Sequence, residues 1–108
     1  IRVLESFRRL APKAEIQTVI IFFTIASKPG IRMKDLEKNL GLGSSAISRQ
    51  VLLLSERSYK RDGDGDFERG LDLVVTATDP FDARSKVVTL TPRGRRLYEQ
   101  LVNQEEYS

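Results

Sequence analysis

The sequence predicts an α+β fold in which a helix-turn-helix feeds a β-hairpin. Three observations carry this. Two helical stretches meet at the tight turn Gly41-Leu42-Gly43. An alternating apolar stretch at residues 71–77 then leads into the acidic turn Asp79-Pro80-Phe81-Asp82, a basic tip at Arg84 and Lys86, and a β-branched return strand at residues 86–90. Finally Thr91-Pro92 has the chemistry of a helix start, a capping hydroxyl followed by a residue with preset φ.

The elements follow in order. In residues 2–10, Val3, Leu4, Phe7 and Leu10 are spaced as on one helix face, and Ala11-Pro12 ends that helix and opens the next. In the second helix Ile16, Val19, Ile20, Phe23 and Ser27 share a face, with Ile21, Phe22 and Ile25 on its flanks. A helix apolar on most sides is buried on most sides, so this one is expected at the centre of the core. Lys28-Pro29-Gly30 ends it, and Ile31-Arg32 reads as a very short strand. The helix at residues 33–39 places Leu36 and Leu40 together, and Gly41 stands where a left-handed C-terminal residue belongs. Ser44 is expected to cap the next helix, residues 44–56. Its core stripe is Ile47, Val51 and Leu54, and its other faces carry Ser45, Ser48, Arg49 and Gln50. Residues 58–70, with Asp62-Gly63-Asp64-Gly65-Asp66, read as a mobile loop. Leu71, Leu73, Val75 and Ala77 then alternate with Asp72, Val74 and Thr76 as in a strand. In the last helix Leu97, Leu101 and Val102, beside Tyr98, form the apolar stripe.

At 108 residues the chain reads as a single domain, with the helix-turn-helix at about 33–57, the hairpin at about 71–91 and terminal helices at 2–10 and 92–106. Apolar residues make up 40% and charged residues 31%, the balance of a globular chain rather than a disordered one. There is no cysteine, which removes thiolate chemistry and Cys-based zinc sites and fits a reducing cytoplasm. There is no histidine, so the usual general base at neutral pH is missing too. Nor is there a Gly-rich phosphate loop with its lysine. These omissions argue for a binding protein rather than an enzyme, and no cofactor is implied. The longest apolar run, residues 19–23, falls far short of a membrane span, and no signal peptide is visible.

Charge is placed unevenly. Residues 83–98 hold Arg84, Lys86, Arg93, Arg95 and Arg96 without one acid, whereas residues 71–82 hold three aspartates without one base. A net charge of only +3 with so concentrated a basic stretch suits a local polyanion contact. Two constellations follow. The polar start of the 44–56 helix carries Ser44, Ser45, Ser48 and Arg49, side chains able to reach phosphates or base edges from a helix laid in the major groove. At the hairpin tip Arg84 and Lys86 project cations suited to a narrow minor groove, and Asp82 is placed to accept from the Arg84 guanidinium and fix its direction. The alternating Asp62, Asp64 and Asp66 suggest calcium, but Phe67 stands where such a loop needs glycine and Leu73 where it needs its final glutamate.

This order of residues resembles the MarR family of bacterial winged-helix transcription regulators, from about Ala14 to Leu101. The most specific part is the Asp-Pro-x-Asp-x-Arg wing, Asp79, Pro80, Asp82 and Arg84, followed by Leu90-Thr91 and Gly94. The second part runs from Asp35-Leu36 through Gly41-Leu42 to Ser44-Ser45-Ala46-Ile47-Ser48-Arg49. The resemblance implies a winged helix-turn-helix with a two- to three-stranded antiparallel β wing. It implies further that the 44–56 helix enters the major groove, that Arg84 enters the minor groove oriented by Asp82, and that homodimers joined by terminal helices bind pseudo-palindromic double-stranded DNA. Two departures stand out: residues 58–69 make a longer link into the wing than is usual in the family, and the terminal helices are short. Sequence-specific DNA binding in transcription regulation is therefore the expected function. A winged-helix protein adaptor, or an accessory factor in replication or recombination of a mobile element, is the alternative. The residues specify no effector molecule.

Overall fold

A computed structural model describes residues 16–55, 57–61 and 67–106. Its elements are α1 (Ile16–Ser27), β1 (Ile31–Arg32), α2 (Met33–Leu40), α3 (Ser44–Leu54), β2 (Arg57–Arg61), β3 (Phe67–Arg69), β4 (Val74–Asp79), β5 (Asp82–Leu90) and α4 (Pro92–Glu106). β1, β5 and β4 form an antiparallel sheet with β5 in the middle, and β2 and β3 form a separate ribbon. The helix expected at residues 2–10 and the acidic trio Asp62, Asp64 and Asp66 lie outside the described residues.

The core is where α1 meets the helix-turn-helix and the sheet. Ile21, Phe22 and Ile25 of α1 are fully buried with Leu36, Ile47, Leu54, Val88 and Leu101. Phe23 meets Phe22 and Tyr98 edge-on, at centroid distances of 5.7 and 5.5 Å, which ties α1 to α4. Within the helix-turn-helix, Gly41 ends α2 at φ 64°, a left-handed conformation that glycine adopts without a Cβ penalty. There the Leu42 N–H donates back to the Glu37 carbonyl. At the start of α4 the Thr91 hydroxyl accepts from the Gly94 N–H at 3.0 Å and Pro92 is the first helical residue, as the sequence predicts.

The structure corrects four expectations. The face of α1 is rotated: Thr18, Val19, Ile21, Phe22 and Ile25 are buried, while Ile16 and Ile20 are 58% and 49% exposed. Periodicity could not choose, because isoleucine and phenylalanine cover most of this helix. The chosen face includes buried Thr18, whose hydroxyl donates to Gln50 Oε1 on α3 and so is not left unpaired. Next, Gly43 rather than Ser44 occupies the cap position of α3, making Ser44 the first helical residue, and the helix ends at Leu54.

Residues 58–70 are not simply a loop, since Arg57–Arg61 and Phe67–Arg69 pair antiparallel. Asp-Gly steps are hairpin chemistry, and Tyr59 and Phe67 on either side favour strands, so the signal was present. Lastly, the strand expected from Leu71 begins at Val74. Residues 71–73 instead run across the end of α3: the N–H groups of Leu71, Asp72 and Leu73 donate to the carbonyls of Leu53, Ser55 and Leu54 at 3.0, 3.0 and 2.7 Å. The last carbonyls of a helix have no partner within it, and this segment supplies one. Asp72 adopts φ 55° there. The alternation consequently breaks, with Leu73 and Val74 both buried and Val75 exposed.

The Leu73 carbonyl accepts from the Thr91 N–H at 3.0 Å, so the same segment also holds the start of α4. Gly94 lies against it closely enough that an added Cβ would stand 2.0 Å from the Leu73 oxygen. Gly94→Ala should therefore destabilise the fold by about 1–3 kcal/mol or more through overpacking against backbone that cannot swing aside. Urea unfolding of the variant checks this, and an unchanged midpoint would contradict the close approach.

Candidate functional site

Two surfaces bring the sequence-predicted residues together. On α3 the side chains divide as its helical period requires. Ile47, Val51 and Leu54 are buried, and Ser44, Ser45, Ser48 and Arg49 are exposed. The helix is held in rotation by this stripe and by the hydrogen bond from Thr18 to Gln50. A hydrogen bond between side chains of two helices specifies angle, whereas apolar packing tolerates small rotations. Sequence reading put Gln50 among the outward polar residues; it is half-buried and its role is inward. A threonine amid isoleucine and phenylalanine was the available clue.

The second surface is the wing. β4 and β5 pair in register from Val74 with Leu90 to Thr78 with Lys86, after which Asp79 pairs with Asp82. Ala83, Arg84 and Ser85 thus fall between partners of adjacent β4 residues, a bulge on the return strand. The turn itself is Pro80-Phe81. Arg84 therefore sits in the bulge just behind the tip, and both it and Lys86 are exposed.

Two aspartates organise this tip. The Asp82 carboxylate accepts from the Arg84 backbone N–H and from the Ser85 hydroxyl, both at 3.0 Å. It thus meets Arg84 at the main-chain N–H, where the sequence suggested the guanidinium as donor. The Arg84 N–H, then the Ser85 hydroxyl, hold the Asp82 carboxyl below the usual carboxylate range, with smaller help from the charges of Lys34 and Arg32. Asp79 is almost completely buried. Its Oδ1 accepts the Phe81 N–H at 2.9 Å, and its Oδ2 lies 2.8 Å from Arg32 Nε. That oxygen accepts no hydrogen bond of good geometry, so the Arg32 pairing is charge against charge rather than a directed bond. β1, paired through Ile31 and Arg32 with Val88 and Val87, brings this arginine to the wing. Sequence reading missed Arg32 and Ser85, and placed Asp79 in the wing motif without its bonds to Phe81 and Arg32. Asp79 and Ser85 could have been found from their spacing to Phe81 and Asp82, which suits side-chain-to-backbone turns. Arg32 could not, because its pairing is across the sheet.

No protein-family model matches the chain, and no curated protein matches it significantly. Solved structures do. A mutant MepR from a multidrug-resistant S. aureus clinical isolate superposes with TM-score 0.75 at 15% identity, covering 98% of this chain and 66% of its own. A MarR protein from Peptoclostridium difficile gives 0.69 at 17%, covering 96% and 59%. The S. aureus MepR–DNA complex gives 0.69 at 15%, covering 94% and 73%. The fold is the MarR-type winged helix. The chain spans roughly three-fifths to three-quarters of the length of these structures, and identities this low carry the fold alone.

Two outcomes follow from this geometry. Arg49→Ala should leave the melting temperature nearly unchanged, whereas Ile47→Ala or Leu54→Ala should cost roughly 2–5 kcal/mol by opening a cavity. Thermal unfolding separates them, and the reverse ranking would mean that the phase of α3 is wrong. Asp82 supplies the pH dependence. Its folded pKa is depressed, so its stabilisation is present above its unfolded value, about 3.9, and is lost as pH falls through the lower folded value. The amide resonances of Arg84 and Ser85 should shift in that acid range. In Asp82→Asn, which has no carboxylate to protonate, that titration should vanish.

Proposed function

We propose that this chain is a sequence-specific double-stranded-DNA-binding protein of the MarR type that acts in transcription regulation without catalysis. The observation that carries the reading is the pairing of an exposed Ser and Arg face on α3 with a cationic wing, both fixed to one core. A major groove admits one helix, and the start of α3 offers Ser44, Ser45, Ser48 and Arg49 to phosphates and base edges. Arg84 and Lys86 serve the adjacent minor groove, where the negative potential of narrow stretches favours arginine. Asp82 is a positioning residue for Arg84. The MepR–DNA complex among the similar structures supports this reading.

A homodimer completes it. A palindromic site needs two such helices about 34–36 Å apart, and one chain presents one. Exposed Ile16 and Ile20 on α1 offer apolar surface for a symmetric contact.

Arg84→Ala should weaken duplex binding by about 1–3 kcal/mol and lower the salt dependence of log K by about one. Asp82→Asn should weaken it less, because the cation remains. Mobility shifts over a salt series, first with random duplex and then with DNA flanking the protein's own gene, measure both. Wild-type affinity in Arg84→Ala would remove the wing from the interface. Light scattering at micromolar concentration should give twice the chain mass without DNA and two chains per duplex with it; one chain in both conditions with a single half-site footprint would defeat the dimer.

A further inference from the structure

Phe81 stands out from everything described above. At 90% exposure it is the most exposed large apolar side chain among the described residues, and it sits on the turn of the wing. Turns are ordinarily built from glycine, asparagine, aspartate or serine. A phenyl group left in water forgoes the stabilisation that burial would give it. Nothing in the local backbone requires an aromatic ring at this place.

The backbone beneath the ring is held. Pro80 has a preset φ, and the Phe81 N–H donates to Asp79 Oδ1, a carboxylate that is itself buried and paired with Arg32. The ring is thus carried on a stiff support rather than on a floppy tip. Exposed cations lie close by: Arg84 and Lys86 follow on β5, and Arg32 reaches the wing from β1 to pair with Asp79. The acid nearest the turn, Asp82, has both oxygens engaged by Arg84 N–H and the Ser85 hydroxyl. A projecting apolar group with exposed cations behind it suits a partner that is polyanionic outside and apolar within.

We infer that Phe81 is an apolar wedge that enters the minor groove of duplex DNA ahead of Arg84 and partly unstacks one base step. The inference rests on the DNA-binding reading above and adds to it a contact that bends the duplex. Phosphates line the rim of that groove and meet the cations, while the sugar walls and the base step between them accept the ring. Apolar side chains inserted from the minor groove kink duplexes toward the major groove. Pyrimidine–purine steps, TA and CA/TG, unstack at least cost, so the wedge favours such a step beneath the wing. Discrimination at that position comes from deformability rather than from a hydrogen bond.

The test uses the full chain and a duplex enriched from a random pool by the wild-type protein. The duplex is labelled at its ends for energy transfer, and 2-aminopurine replaces adenine at the step under the wing. Wild type should shorten the end-to-end distance and brighten the 2-aminopurine. Phe81→Ala should lose both signals and bind roughly tenfold more weakly, as for loss of one aromatic stacking contact, with an unchanged salt slope. Phe81→Leu should retain most of both signals. Arg84→Ala should lower the salt slope instead. Unaltered bending and affinity in Phe81→Ala would overturn the wedge, as would a wild-type complex with straight, fully stacked DNA. In either case an effect of Arg84→Ala would leave the DNA reading standing. If the random pool yields no bound duplex, the DNA reading itself fails and the wedge with it.

Discussion

The arrangement of this molecule depends on one short stretch of backbone. Residues 71–73 take up the last carbonyls of α3 with their N–H groups, and the Leu73 carbonyl receives the first N–H of the α4 turn. Helix ends are where backbone groups lack internal partners. Here two helix ends, an end and a beginning, are satisfied by the same three residues. The position of α3 relative to α4 is thereby set by main-chain bonds, which do not vary with side-chain rotamer. Asp72 in a left-handed conformation and Gly94 without a Cβ are the two local conditions that let the stretch lie so close.

Much of this was legible in the sequence, and the reasons are specific. The phase of α3 could be read because Ile47, Val51 and Leu54 recur at helical spacing while its first turns carry Ser44, Ser45, Ser48 and Arg49. The start of α4 could be read because Thr91-Pro92 carries its own chemistry. On α1 the same method failed because the helix is apolar nearly all round, and burial of Thr18 is a tertiary decision. At residues 71–77 a true alternation was present, but it was crossed by a backbone that turns at Asp72 to serve α3. Local pattern gives way when a neighbouring element needs hydrogen bonds.

The wing shows the same division. Its cations were visible in the sequence, as was the place of Asp82 in the turn. How Asp82 works was not, because a carboxylate two residues before an arginine has both a guanidinium and a main-chain N–H within reach. The structure uses the N–H. Arg32 belongs to the wing only through the pairing of β1 with β5, a contact between residues more than fifty positions apart. No reading of local spacing reaches that far.

The bulge at Ala83–Ser85 has a consequence for how this chain can change its length. The stretch from Asp79 to Lys86 is a closed construction: the two-residue turn, the bulge and both aspartates each depend on the others' spacing. One residue added between Asp82 and Ser85 would separate Asp82 from the N–H and the hydroxyl it holds. The β2–β3 ribbon is paired apart from the three-stranded sheet. A change of length in the wing breaks the bonds that shape its tip, whereas one in the ribbon leaves the pairing of β1, β5 and β4 as it is.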